Sequence, residues 1–361
     1  MRIEDAAAAF SGDRLRMARF RAGLTIRELA ERVEVSHAAV SQYETGRTRP
    51  TPAVLARLAL ATSVAPGFFA FGRRPISTGG LDGTHFRSLR STSRQARAQA
   101  WAWSELVLDV AHAVERHVRL PSPDIPVSWL GPEAAPAEFA AAAGELRGHW
   151  GLPEGPVGHL VRHLETHGAV VTRLPIADQG IDAFSHAQGH RPVVVLGSVK
   201  GDAARSRFDA AHELGHLICH PDADPGSVQE VQAHAFAAEL LMPRAHLLTA
   251  LPRRFDLGAY ARLKHEWGVS IAALLYRART LEVISEDAYR RAVTLMNRRY
   301  GRRTEPFPLD AAERPGLLAA ALAVAAGSGV PAERIATQAC LPLSDLLTVA
   351  GDPDPRPALT L

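Results

Sequence analysis

"RFDAAHELGHLICHP", from Arg207 to Pro221, places three histidines and one glutamate within fifteen residues. The segment predicts a helix from about Ala204 to His220, because the proline that follows lacks a backbone donor and ends it. His212 and His216 are four residues apart, so one helical turn brings both imidazoles to the same side. Two histidines at this spacing suit two corners of a zinc tetrahedron, and they leave a third ligand to be found elsewhere.

The glutamate of the same stretch has the position of a general base. Glu213 follows His212 and is rotated by about 100° around the helix, close to a metal without needing to bind it. There it can take a proton from a zinc-activated water and return it to a leaving amine. Gly215 inside the helix costs about 1 kcal/mol relative to alanine, which indicates a close approach to the backbone or tight packing. We therefore predict Zn²⁺ as the cofactor and Glu213 as the catalytic residue.

A second predicted helix, VQEVQAHAFAAELLMP from Val228 to Pro243, offers the third ligand. Glu230 and His234 share one face of this helix, while its large apolar residues point toward the core. Glu230 lies fourteen residues after His216, which leaves room for a loop and an antiparallel return. Two histidines and one glutamate with an open fourth position form a catalytic zinc sphere.

Four neighbouring side chains are alternatives for this ligand set. His220 continues the histidine stripe but lies a turn too far along, and Cys219 occupies another face as a packed thiol. Glu239 is about half a turn out of phase with Glu230 and is expected to point elsewhere. His234 has ligand chemistry, yet its one-turn offset from Glu230 better suits a partner that orients either ligand histidine.

Residues 12–72 contain short helices separated by turn signals. Thr25 begins one of them, and Glu28 three residues later completes a capping box. Ser36 begins the next helix, SHAAVSQYE. Two short helices joined by a tight turn, the second with small polar outward groups, form the arrangement that enters a DNA major groove.

The outward groups of that second helix are His37, Ser41 and Gln42. Between residues 14 and 49 there are eight arginines against four glutamates. Arg47 and Arg49 lie just past the helix, where phosphates of a bound duplex would be. The segment is thus interpreted as a DNA-reading module rather than a generic helical bundle with a solvated basic face.

Composition bounds the remaining choices. A chain of 361 residues with 47% hydrophobic and 22% charged residues indicates two or three globular domains. Its net charge of +3 is weak evidence for any partner, and its two cysteines suit a reducing compartment. The N-terminus lacks the apolar core of a signal peptide, and the run LLAAALAVAA is too short to span a bilayer. We expect a cytoplasmic protein without a membrane partner.

The order of helix, capped helix, turn, capped helix and YETGRTRP resembles the XRE-type (Cro/repressor-like) helix-turn-helix family. The resemblance covers about sixty residues. It implies sequence-specific binding to a double-stranded DNA operator, usually by a homodimer on a palindromic site. It also implies base contacts from the outward groups and phosphate contacts around them; the predicted DNA-binding set is Thr25, Ser36, His37, Ser41, Gln42, Arg47 and Arg49.

The pair RSRFDAAHELGHL and EVQAHAFAAELLMP is similar to the ImmA/IrrE family of zinc metallo-endopeptidases. That resemblance implies that His212, His216 and Glu230 are zinc ligands and that Glu213 is the general base. The family often has asparagine where His234 stands in this chain. Its members cleave or control repressors of the helix-turn-helix type in phage-like elements, mobile elements and stress responses.

These observations predict a mainly α-helical chain with a small β-sheet, of the α+β class. Short β-rich runs at 169–175 and 191–197, with a third, edge-like run at 180–186, form the sheet. We expect an all-α helix-turn-helix domain (1–75), a helical connector (76–165), a zincin-like peptidase domain with the HExxH helix (166–300) and a small helical C-terminal tail (301–361).

The function that follows is a DNA-binding transcriptional regulator with a zinc-dependent endopeptidase domain. That domain would act on the protein itself or on a partner repressor, in a stress or mobile-element response. One alternative is a regulator whose peptidase-like domain senses a ligand, metal or protein without cleaving anything. Another is an antitoxin-like interaction protein held in a tight heterocomplex.

Overall fold

The structure of the protein is a computed structural model, which describes residues 1–70, 93–128, 130–131, 133–174, 183–187, 191–197, 202–220, 226–301 and 304–351. The described residues form seventeen α-helices, one 3₁₀ turn and one three-stranded sheet. The predicted α+β class, mainly helical with a small sheet, is confirmed. The expected domain boundary at residue 75 lies outside the described residues.

Five helices and a 3₁₀ turn (Pro66–Phe69) form the N-terminal bundle: α1 (Ile3–Ala8), α2 (Gly12–Arg21), α3 (Ile26–Arg32), α4 (His37–Glu44) and α5 (Pro52–Ala61). The capping box of Thr25 and Glu28 at α3 and the Ser36 cap of α4 are confirmed. Helix α2 lies so close to the end of α4 that a Cβ on Gly12 would be 2.3 Å from the carbonyl oxygen of Tyr43. Glycine is therefore required where the two helices meet.

The central part contains a long helix, two shorter helices and the sheet. These are α6 (Arg94–Glu115), α7 (Pro136–His149), α8 (Leu160–Thr166), β1 (Val170–Leu174), β2 (Ala183–His186) and β3 (Val193–Gly197). The strand order is β1-β3-β2, with β1 parallel and β2 antiparallel to β3. The predicted edge-like third strand is confirmed as β2 over residues 183–186, while residues 180–182 of the predicted run lie outside the described residues.

Nine helices follow among the described residues. Six continue the central part: α9 (Ala203–Cys219), α10 (Ser227–Leu241), α11 (Arg244–Ala250), α12 (Leu257–Trp267), α13 (Ile271–Thr280) and α14 (Glu286–Tyr300). Three form the C-terminal tail: α15 (Leu317–Gly327), α16 (Ala332–Gln338) and α17 (Leu343–Ala350). Among the described residues no single helix is both long and apolar enough to cross a bilayer; α15 and α16, bent by 107°, meet that test only as a pair.

The sheet separates two hydrophobic cores, because successive strand residues point to opposite faces. Val193 and Val195 of β3 belong to a core shared by the N-terminal bundle, α6 and the tail helices. Val194 and Leu196 belong to the other core, which is built by α7 to α14. The predicted connector is therefore divided in its packing, with α6 on the side of the bundle and α7 and α8 on the side of the HExxH helix.

Buried ion pairs join the N-terminal bundle to distant parts of the chain. Arg14 of α2 pairs with Asp109 of α6, and Arg21 of α2 pairs with Asp345 of α17. On the other face of the tail, the Thr172 hydroxyl of β1 donates to the Val349 carbonyl of α17 at 2.9 Å. The tail helices thus lie between the sheet and the bundle.

Candidate metal centre and DNA-reading surface

Helices α9 and α10 pack closely, and Gly215 lies at their contact. A Cβ at this position would be 3.1 Å from Cδ1 of Phe236 and 3.3 Å from the carbonyl oxygen of Ala233. Of the two explanations offered for this glycine, packing between helices is the one the structure supports.

This packing brings the three predicted ligands together. Nε2 of His212 lies 3.2 Å from Oε2 of Glu230 and 3.1 Å from Nε2 of His216. Nε2 of His216 lies 3.5 Å from Oε1 of Glu230. Zinc bonds of about 2.0–2.1 Å in a tetrahedron separate neighbouring ligand atoms by about 3.3 Å, so the donor atoms fit one such ion. Among the described residues these three form the one group of this kind.

The carboxylate of Glu230 gives an independent test of the fit. Its Oε1 is buried and has no hydrogen-bond partner among the described residues. The hydrogen bond from His212 and the proximity of His216 lower the pKa of Glu230 below its usual range, so the group is ionised. Leaving a buried charged oxygen unsatisfied costs free energy, and a cation bound between the three side chains would remove that cost.

Glu213 lies beside this cluster and is held from a different element. Its side chain is buried, and burial raises the pKa of Glu213 to about 7. The hydroxyl of Ser185, on edge strand β2, donates to Oε2 of Glu213 at 2.7 Å. Sequence reasoning missed Ser185, because its place in the AFSH run gives its position in a strand but not its partner on α9.

The neighbouring candidates lie as follows. The His234 ring is 6.2 Å from the His212 ring and 4.7 Å from that of Phe208; no hydrogen bond joins His234 to a ligand imidazole among the described residues. Its predicted orienting role would therefore act through ring packing. Glu239 points elsewhere, as expected, and forms an ion pair with Arg277.

His220 is at the end of α9, as expected, and it has a partner that the sequence did not indicate. Its Nε2 is 2.9 Å from Oε1 of Gln232 on α10, and its ring stacks on Phe139 of α7. Cys219 beside it is a buried free thiol, and burial raises its pKa to about 12. Neither residue belongs to the ligand cluster.

The predicted DNA-reading residues surround helix α4 on the surface. His37 and Gln42 are exposed and Ser41 is half-buried on the helix itself. Thr25 and Ser36, both exposed, also cap α3 and α4. Arg47 and Arg49 are exposed beyond the end of α4. The guanidinium of Arg49 donates to the Ala8 carbonyl at 2.7 Å, which ties this loop to α1.

The arginine count over residues 14–49 overstated the basic surface of this module. Arg14, Arg19 and Arg21 are buried and pair with Asp109, Glu44 and Asp345 respectively. Arginines neutralised in the interior cannot reach phosphates. The basic groups available on this surface are the exposed ones, and Arg47 is the first of them after the end of α4.

Fold and site together define the class of protein. A DNA-binding helix-turn-helix module is joined in one chain to a metallopeptidase-like domain. The HELGH helix of that domain carries a possible metal-binding group. The family models give the same result. The model of a helix-turn-helix domain matches residues 12–66, and the model of the IrrE N-terminal-like domain, peptidase family M78, matches residues 164–279. Both resemblances and their fusion are confirmed. No curated protein matches the chain.

Proposed function

We propose that the protein is a DNA-binding transcriptional regulator with a zinc-dependent endopeptidase domain, acting on itself or on a partner repressor in a stress or mobile-element response. One observation carries the proposal. In a chain with a helix-turn-helix domain, the ligand atoms of His212, His216 and Glu230 lie within 4.8 Å of one another, and the buried carboxylate of Glu213 lies beside them.

The three clustered side chains would hold zinc, which supplies a Lewis acid that polarises a peptide carbonyl and acidifies water. Glu213 would take the proton of the attacking water and pass it to the leaving amine. Its burial favours proton uptake near neutral pH, because the pKa of the carboxyl is raised to about 7. Ser185 would fix one carboxylate oxygen and leave the other for the water.

For the DNA half we propose base contacts from His37, Ser41 and Gln42 on α4, since these are the outward groups of the helix that such modules place in the major groove. Phosphate contacts would come from Thr25, Arg47 and Arg49, and Ser36 at the start of α4 completes the DNA-binding set. The same proposal includes binding by a homodimer to a palindromic operator. Because the operator is DNA, it also includes a cytoplasmic location.

A second candidate, a sensor that does not cleave, is favoured by one observation. Strand β2 carries Ser185, and its neighbour Phe184 belongs to the core that also contains the N-terminal bundle. In this second candidate, occupancy of the metal centre would act through β2 on the packing of the N-terminal bundle, without proteolysis. An antitoxin-like interaction protein has no such support in the described residues.

The deciding experiment incubates the purified full chain, loaded with zinc, with candidate repressors and analyses the products by mass spectrometry. Glu213→Gln should abolish cleavage and retain zinc, while Glu145→Gln, an exposed glutamate of α7 outside the site, should cleave like wild type. Equal cleavage by wild type and Glu213→Gln would contradict the enzymatic proposal. Reporter repression that survives Glu213→Gln but is lost in His212→Ala would favour the sensor.

A further inference from the structure

A cleft leads away from the metal centre, and one face of α10 forms its length. The residues of α10 that line the cleft come in adjacent pairs four positions apart, from Glu230 and Val231 to Ala238 and Glu239, so they follow one broad side of the helix over about half of its circumference. At a rise of 1.5 Å per residue this stretch of α10 is about 13 Å long. The cavity has a volume of about 870 Å³, within the range of pockets that hold small molecules and cofactors.

Helix α7 contributes a wall of very small side chains. Its lining residues are Pro136, Ala137, Ala140, Ala141 and Gly144. Ala137, Ala141 and Gly144 are exposed, whereas the exposed face of a helix in a globular protein ordinarily carries polar or charged groups. Because no side chain of this wall is larger than a methyl group or the pyrrolidine ring of Pro136, the cleft is open to the side chains of a bound molecule.

Exposed apolar groups lie next to the candidate metal centre. Val231, beside Glu230, is 58% exposed, and Tyr276 of α13 is 41% exposed. The Tyr276 ring contacts the Arg279 guanidinium, 4.5 Å from its centroid, and lies edge-on to the His234 ring at 6.1 Å between centroids. Large apolar surfaces left open to solvent beside a candidate catalytic centre favour an apolar ligand there.

The far end of the cleft carries an available positive charge. Glu239 and Arg277 neutralise each other through their ion pair, and Arg277 also donates to the Met242 carbonyl at 3.1 Å. Arg244, whose backbone N–H donates to Glu239, lines the same end and is exposed. Among the described residues its guanidinium has no acidic partner, so this end of the cleft is positive.

We propose that this cleft binds an extended peptide with apolar side chains next to the bond at the metal centre and an acidic side chain about four residues away, paired with Arg244. The spacing follows from the length of the cleft, since an extended chain advances about 3.3 Å per residue. The inference rests on the proposed peptidase function and names the peptide class for that site.

Binding and cleavage are measured separately, so that the two proposals can fail independently. The probes are fluorescein-labelled peptides with a central Leu-Leu pair in an Ala-Ser background, each carrying one Asp or one Lys at successive positions on either side. Fluorescence anisotropy with zinc-loaded full chain should show tighter binding for Asp than for Lys about four residues from the pair, by roughly fivefold for a pair open to solvent. Arg244→Glu should reverse that preference.

A groove-filling variant tests the apolar wall. Ala141→Trp should weaken binding of the Leu-Leu peptides by at least about tenfold, with zinc content and circular dichroism unchanged. Glu145→Trp, on the same helix but outside the lining, is the matched control. Unchanged charge preference in Arg244→Glu, or unchanged binding in Ala141→Trp, would overturn the inference. Selective binding without cleavage would refute the peptidase proposal alone, whereas cleavage without selectivity would refute only the cleft assignment.

Discussion

Replacing Asp345 by asparagine tests how firmly the tail holds the DNA-reading bundle. Asp345 and Arg21 form an ion pair between residues 324 positions apart, and their side chains are only 12% and 8% exposed. Arg21 also donates to the Thr62 carbonyl. Burial already lowers the pKa of Arg21 to about 10, which is still far above neutrality. Asp345→Asn therefore leaves a charged guanidinium in the interior without its counter-charge.

The cost can be bounded from measured behaviour of such pairs. Removing one partner of a buried ion pair destabilises proteins by roughly 3–5 kcal/mol, and asparagine still accepts a hydrogen bond, so we expect about 3 kcal/mol. At roughly 2–4 °C per kcal/mol, the transition that unfolds the N-terminal core should fall by about 6–12 °C. Asp13→Asn is the control, because it breaks the exposed pair with Arg16 and should cost no more than about 1 kcal/mol.

Urea unfolding followed by circular dichroism, combined with calorimetry, measures both variants. The double variant Arg21→Met with Asp345→Leu should recover most of the loss, because it removes both charges together. If Asp345→Asn is no less stable than Asp13→Asn, the buried pair does not hold the tail to the bundle, and the core shared by the two contributes less to stability than expected.

Three further outcomes are expected. Ser185→Ala should lower kcat by about tenfold or more with little change in KM, because Glu213 loses the hydroxyl that orients it. Ser185→Thr should restore part of the rate. If Ser185 were purely structural, Ser185→Ala would instead lower stability and leave kcat intact. In gel shifts, Arg47→Ala should weaken binding to every sequence, whereas Gln42→Ala should change base preference; identical effects of both would contradict the assigned roles. Iodoacetamide should alkylate half-buried Cys340 well before Cys219, since burial raises the pKa of the Cys219 thiol to about 12. Peptide mapping measures both rates, and faster labelling of Cys219 would show that α9 opens at its end.

Local features of the fold could be predicted because each depends on residues near one another in the chain. The Thr25 capping box and the Ser36 cap both follow from side chains three residues from their partners. The placement of His212 and His216 on one side of a helix follows from the same kind of periodicity. The structure brings Glu230 to them, while the metal-binding role of all three remains a prediction.

Features that depend on distant contacts could not be predicted. The sequence shows Arg14 and Arg21 as two more basic residues of a DNA reader, and only the fold places Asp109 and Asp345 against them. The same limit applies to the donor for Glu213, because nothing local marks Ser185 as its neighbour. The tail was predicted as a separate small helical segment, but its apolar faces are shared with α6 and the sheet, a partnership that periodicity does not reveal.

The most direct test of the central claim is equilibrium zinc binding by the full chain, with metal content determined by mass spectrometry and affinity by competition with a chelator. Wild type should hold one zinc ion per chain, and Glu230→Ala, like His216→Ala, should weaken binding by at least about a hundredfold. Glu239→Ala, on the same helix with its carboxylate paired to Arg277, should bind like wild type. Undiminished affinity in Glu230→Ala would mean that α9 and α10 do not together form the metal centre.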